Sequence, residues 1–109
     1  MDIESYESFC STNQIDYGDN IIVFLFCGDW CRPCKNLYKN LQNIGNCLVY
    51  KINVENLEFE DYISDNNISS IPHSIVKYKN NKVTFNGVKS MDELLEMFTS
   101  LKKETITEK

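Results

Sequence analysis

Five cysteines are many for a chain of 109 residues, and their spacing sorts them. Cys10, Cys27 and Cys47 stand alone, whereas Cys31 and Cys34 form a C-x-x-C inside Trp30-Cys31-Arg32-Pro33-Cys34-Lys35. Two thiols at that spacing suit half of a metal site, a dithiol that cycles with its disulfide, or simple burial. Zinc needs two further ligands. There is no second C-x-x-C and no H-x-x-x-H, so a zinc site would have to recruit Cys10, Cys27 or the single histidine, His73, from distant segments. No metal is therefore expected. An odd number of cysteines behind an acidic Met1-Asp2-Ile3-Glu4 start, the opposite of a secretory leader, also argues against a structural disulfide framework.

The position of the motif gives the redox reading its physical content. The run Ile21-Ile22-Val23-Phe24-Leu25-Phe26 has no polar member, which suits a strand buried on both faces. Gly28-Asp29-Trp30 breaks it, and Pro33 stands where the first turn of a helix tolerates proline. Cys31 then lies at a helix N-terminus, where unpaired amides and the positive end of the macrodipole stabilise a thiolate. Arg32 adds a positive charge beside it. Cys34, one turn further in, is expected to be the more sheltered thiol. Such a pair attacks a substrate disulfide through Cys31 and releases product through Cys34.

The elements that must hold this motif alternate. A short strand at Ile3-Glu4-Ser5 precedes a helix over residues 6–15 that Ser5 caps. The strand over residues 21–26 is followed by a helix over 33–44, with Leu37, Leu41 and Ile44 as a narrow apolar stripe and Gly45-Asn46 as its stop. Residues 47–54 read as a second interior strand and 57–65 as a helix that leaves through Asn66-Asn67. Strands over 74–79 and 82–86 flank a turn at Asn80-Asn81. Ser90 and Glu93 form a capping box for a last helix faced by Leu94, Leu95, Phe98 and Leu101, with a frayed tail from Lys102 to Lys109. The order β-α-β-α-β-α-β-β-α implies one α/β domain over residues 1–109, built on a central mixed sheet covered on both faces.

Composition removes other functions. The formal net charge is −5, and the eleven basic residues, ten of them Lys, are scattered, so no nucleic-acid footprint is expected. The longest apolar run, Ile21 to Cys27, is seven residues, too short to cross a bilayer. The absence of Ala beside abundant Asn, Lys and Ile reflects AT-rich coding, as in low-GC bacteria, protists and large DNA viruses. The expected compartment is the cytoplasm, or the host cytoplasm or virion for a viral chain.

These residues resemble the thioredoxin family over nearly the full length. Trp30-Cys31-Arg32-Pro33-Cys34-Lys35 is similar to its W-C-G-P-C-K active site, with Arg32 for Gly. Ser70-Ile71-Pro72-His73 is similar to its G-I-P-T segment, Asn80-Asn81-Lys82 falls at its hairpin turn, and Gly87 at the glycine before its last helix. The resemblance implies a thioredoxin fold with four to five strands and four helices, and a redox-active dithiol with no other cofactor. It implies a cis bond before Pro72 facing the disulfide, where the preceding backbone pairs with an extended substrate. Trp30, Arg32, Pro33, Ile71 and Pro72 then support the site. The implied partners are protein disulfide or dithiol substrates and a recycling reductase of the thioredoxin-reductase or glutathione type, with the chain itself a monomer.

The departures are specific. The family's buried acid stands six residues before the first cysteine, and that position is Leu25 here, so Cys34 lacks its usual base. The lysine partner of that acid is kept as Lys51, which must find another acceptor, snorkel to solvent or shift its pKa. His73 replaces Thr after the proline. Lys51 and His73 are candidate proton relays. Cys27 replaces an aromatic near the motif and reads as a small buried hydrophobe or a third redox thiol. Lys39 stands where the family's second helix carries a kink proline. Two function classes follow: an oxidoreductase, reducing or oxidising and isomerising, and a thioredoxin-fold binding module whose partners would ignore Cys31→Ser and Cys34→Ser.

Overall fold

The computed structural model describes the backbone of residues 1–107 and the side chains of residues 1–103. Its elements are β1 (Asp2–Ile3), α1 (Tyr6–Asn13), β2 (Ile21–Cys27), α2 (Arg32–Gln42), β3 (Cys47–Asn53), a 3₁₀ turn (Leu57–Phe59) that runs into α3 (Glu60–Asp65), β4 (His73–Tyr78), β5 (Asn81–Asn86) and α4 (Met91–Thr107). The five strands form one sheet in the order β1-β3-β2-β4-β5. β1, β3 and β2 are parallel, while β4 and β5 run antiparallel to their neighbours.

The apolar run of β2 is explained by its central place in the sheet. Ile21, Val23 and Leu25 face α2 and α4, packing with Leu37, Leu41, Leu94, Phe98 and Leu101. Ile22, Phe24 and Phe26 face the other side, with Phe9, Phe59 and Ile68. A strand covered twice has no position for a polar residue. Because β2 pairs with β3 along its whole length and with β4 from Ile22 to Phe26, the loop after β2 and the loop before β4 meet at the same end of the sheet.

Boundaries differ from the sequence expectations where local chemistry decides. The Ser5 hydroxyl accepts from the Ser8 amide as a cap should, but α1 stops at Asn13. α2 ends at Gln42 because Asn43 caps it, and the left-handed residue that turns the chain is Asn46 (φ 57°), not Gly45. The tight turn falls at Lys79-Asn80, one residue early, with Lys79 at φ 54°. Over the tail expected to fray from Lys102, the backbone is helical as far as Thr107. Leu101 is 1% exposed in the core and the Lys102 ammonium lies over the Tyr78 ring, which anchors the last turns. Residues 108–109 of the expected tail lie outside the described residues.

Candidate active site

Cys31 is the N-cap of α2, with extended backbone (φ −89°, ψ 105°), and its sulfur accepts a hydrogen bond from the Cys34 amide at 3.3 Å. The Cys31 amide donates to the Gly28 carbonyl at 3.1 Å, which closes the loop after β2 and fixes where the helix starts. Pro33 in the first turn lacks only an amide that no helical carbonyl would have accepted. The two cysteines form a disulfide with their Cα atoms 5.3 Å apart. The expected contrast in shelter is not seen in this oxidised form, for Cys31 is 4% and Cys34 3% exposed. A closed disulfide holds both sulfurs at bonding distance, so they share one environment.

Around the pair, Arg32, Pro33 and Lys35 are exposed, and the first turn of α2 carries no acidic residue. Trp30 is 68% exposed, and its indole lies over Gly28, where a Cβ would come within 2.9 Å of it. The Ile71–Pro72 bond is cis. The Pro72 carbonyl accepts from the Gly87 amide at 2.8 Å, and Gly87 itself sits at φ 81°, a conformation that favours glycine. Ile71 is half-buried, and the buried Pro72 precedes the first residue of β4. The antiparallel register, Phe26 opposite His73, brings Trp30 through Cys34 and Ile71-Pro72 to one end of the sheet.

The two candidate relays are engaged elsewhere in this form. Lys51, beside Leu25 in the β2–β3 register, lies 3.9 Å from an Asp2 carboxylate oxygen and 4.5 Å from the Tyr38 ring centre, with its side chain 37% exposed. It has thus found the alternative acceptor that the loss of a buried acid requires. His73 Nδ1 is 2.7 Å from Asn86 Oδ1, across the β4–β5 pair, and its ring meets Phe26 edge-on. Leu25 is fully buried. Cys27 is half-buried against the α2/α4 core, where burial pushes its thiol up and the nearby Lys51 charge only partly offsets this. Burial pushes Cys47 up to about 12. A surface cavity of about 540 Å³ lies at the other end of the sheet, between the α1–β2 loop and the β4–β5 turn, and neither redox cysteine lines it.

Sequence reasoning passed over one residue here. Among the described residues, Ser74 is the one buried side chain whose polar atom has no hydrogen-bond partner. The signal was a serine at an inward position of a strand whose other inward residues are Val76 and Tyr78. Among the described residues no group of three or more His, Cys, Asp or Glu side chains could hold a metal ion, and no helix is long and apolar enough to cross a membrane.

A mixed five-stranded sheet with a C-x-x-C disulfide at the start of its second helix and a cis-proline loop at the same end defines the thioredoxin fold. The thioredoxin family model matches residues 3–100, and the chain belongs to that family. Among solved structures it is similar to chloroplastic thioredoxin z, with a TM-score of 0.76, 22% identity, and 94% of this chain and 93% of that one covered. It is also similar to the germline-specific thioredoxin Deadhead of Drosophila melanogaster (TM-score 0.72, 21% identity, 93% and 98% covered). A thioredoxin of Halobacterium salinarum gives 0.71 at 19% identity, with 93% and 88% covered. No curated protein sequence matches it.

Proposed function

We propose that this thioredoxin-family protein is a thiol–disulfide oxidoreductase acting on protein disulfides, in the reducing direction. The Cys31 thiolate attacks one sulfur of the substrate disulfide; a Cys31–substrate disulfide forms, and the other substrate sulfur leaves as a thiolate and takes a proton from water. Cys34, as thiolate, then attacks the Cys31 sulfur. The Cys31–Cys34 disulfide forms, the second substrate thiol departs, and two electrons have passed from protein to substrate. A recycling system, either a thioredoxin-reductase-like enzyme or two molecules of glutathione that leave as their disulfide, returns the two electrons and restores the dithiol.

The observation that carries this reading is the Cys31–Cys34 disulfide at the N-terminus of α2, with the Cys34 amide aimed at the Cys31 sulfur. That amide and the helix end favour negative charge on Cys31, and Arg32 adds to it without an opposing acid in the same turn. Trp30 and Ile71 present apolar surface beside the disulfide for an extended segment of the substrate. The second reading, an oxidant or isomerase, is favoured by the same Arg32 and by Leu25, since a stabilised thiolate makes the reduced form the preferred one.

Equilibration in glutathione buffers separates the two readings. A potential near about −270 mV marks a reductant, and one above roughly −200 mV an oxidant or isomerase. Cys31→Ser should abolish disulfide reduction, and Cys34→Ser should stall as a mixed disulfide through Cys31. The absence of any reversible couple would refute the oxidoreductase reading and bring the binding module forward.

A further inference from the structure

The buried hydroxyl of Ser74 has no role in the chemistry described so far, and its isolation is unusual. It is 0% exposed, and it is the only buried side-chain nitrogen or oxygen without a partner among the described residues. Buried hydroxyls are nearly always paired, because leaving one unpaired forfeits its hydrogen bonds to water. A small apolar residue would fill the same place at no such cost.

Its place in the fold is informative. Residues of β4 alternate, and Ser74, Val76 and Tyr78 point toward α2 and α4, Val76 and Tyr78 packing in one cluster with Leu25, Leu37 and Leu41. Ser74 is directly opposite Leu25 on β2 and Phe85 on β5. Residues so paired hold their Cβ atoms about 5 Å apart. α2 returns antiparallel to β2, and its buried stripe is Cys34, Leu37 and Leu41. Leu37 and Leu41 share one core cluster with Val23, Leu25 and Val76. One helical turn from Leu37 toward the N-terminus, about 5 Å, brings Cys34 to the disulfide end of this face, the end toward which Ser74 lies from Val76 on β4.

We propose that the Ser74 hydroxyl is the hydrogen-bond donor to the Cys34 thiolate in the reduced protein, a polar group supplied from β4 in a chain whose β2 residue alongside is leucine. The inference rests on the oxidoreductase reading. In the disulfide form the hydroxyl bonds to neither sulfur and stands unpaired. A thiolate is a strong acceptor, and one formed against Leu25 has little else to stabilise it. Ser74 keeps its own proton throughout. The Cys34 proton passes to solvent water, the Cys34 thiolate attacks the Cys31 sulfur, the Cys31–substrate bond breaks, and the departing substrate thiolate is protonated from water.

The unpaired state therefore burdens only the oxidised form, which biases the couple toward the dithiol. Ser74→Ala should shift the equilibrium with glutathione about tenfold toward the disulfide, about 30 mV more negative. In a Cys31→Ser background, it should raise the pH midpoint of Cys34 alkylation, followed peptide by peptide by mass spectrometry, by about one pH unit. Ser74→Thr, which keeps the hydroxyl, should restore both. Oxidised Ser74→Ala should be as heat-stable as the parent or more so, because a costly unpaired group is gone; a merely structural serine would leave the midpoint and the potential where they were. An unmoved midpoint and potential in Ser74→Ala, or an equal displacement in Ser74→Thr, overturns the proposal. A parent protein with no reversible couple overturns the oxidoreductase reading instead.

Discussion

Leu25→Asp tests how the chain manages without a buried acid. Leu25 is fully buried in the α2/α4 cluster, so replacing it forfeits about 2–3 kcal/mol of apolar burial before any charge is considered. An aspartate there is desolvated, which raises its pKa, by up to 3–5 units for a fully buried group without partners. Lys51, its neighbour on β3, moderates that only by leaving Asp2 and the Tyr38 ring. With a folded pKa above the unfolded value near 3.9, the variant is closest to the parent in stability below about pH 4 and loses ground as the pH rises through the folded pKa. The same raised pKa makes the carboxylate a useful base near neutrality. General-base assistance is typically worth 10²–10⁴-fold in the step it serves. Resolution is one of two exchange steps, so a gain of about 10²-fold in that step is expected at pH 7, with the overall gain capped by the first exchange. The assay is single-turnover reduction of a disulfide peptide by the pre-reduced protein between pH 5 and 9. Leu25→Asn serves as control, since it carries a similar packing loss without a base. An aspartate variant no faster than the asparagine variant, with both folded by circular dichroism, would refute the view that Leu25 deprives Cys34 of a base.

Other expectations concern the surroundings of the site and the frame that holds it. Gly28→Ala places a methyl group 2.9 Å from the Trp30 indole, which is exposed and free to swing; fluorescence of this sole tryptophan should shift to the red while the denaturation midpoint moves little, and an unchanged spectrum would show that the indole does not rest there. Ser90→Ala breaks the capping box of α4, in which the Ser90 amide donates to Glu93 at 2.9 Å and the Glu93 amide to the Ser90 hydroxyl at 3.2 Å, and should cost about 1 kcal/mol in urea denaturation. The Ser90 amide and then its hydroxyl hold the Glu93 carboxyl below its ordinary value, so that contribution is present above about pH 4.3 and is lost as the pH falls through the lower folded pKa; the Ser90→Ala deficit should shrink at low pH. With burial pushing both the Cys47 and the Cys27 thiols up, the reactive thiolate is scarce at pH 8, so native alkylation should leave Cys47 unlabelled and Cys27 slow. Labelling either at the rate of a free peptide thiol would contradict the burial seen here.

Much of this architecture was legible because it is local or periodic. The two-faced apolar run of β2, the stripe of α2, the capping residues Ser5 and Ser90 and the element order all follow from side chains within a few positions of one another. The place of the C-x-x-C at a helix start was legible because cap chemistry confines such residues to few places, whereas Pro72 was legible only through the resemblance to the thioredoxin family. What was not legible depended on partners far along the chain. The core contact of Leu101 and the seat of Lys102 over Tyr78 carry α4 to Thr107, against a charged composition that suggested fraying. Lys51 settles on Asp2 only because β1 pairs with β3. Ser74 looked like an ordinary strand residue until the register set it beside Leu25.

The two thiols of the site draw on different kinds of support, which explains why one part of the thioredoxin pattern is kept here and another is not. Cys31 is served by backbone: a helix end, the Cys34 amide at 3.3 Å and a loop closed onto Gly28. No side-chain substitution removes these while the loop and helix persist. Cys34 is 3% exposed and has to be served by the side chains of the sheet beneath it. That task can move from one strand to the next without disturbing the backbone. A leucine on β2 opposite an unbonded serine on β4 is the arrangement that the proposed transfer of this task to β4 leaves.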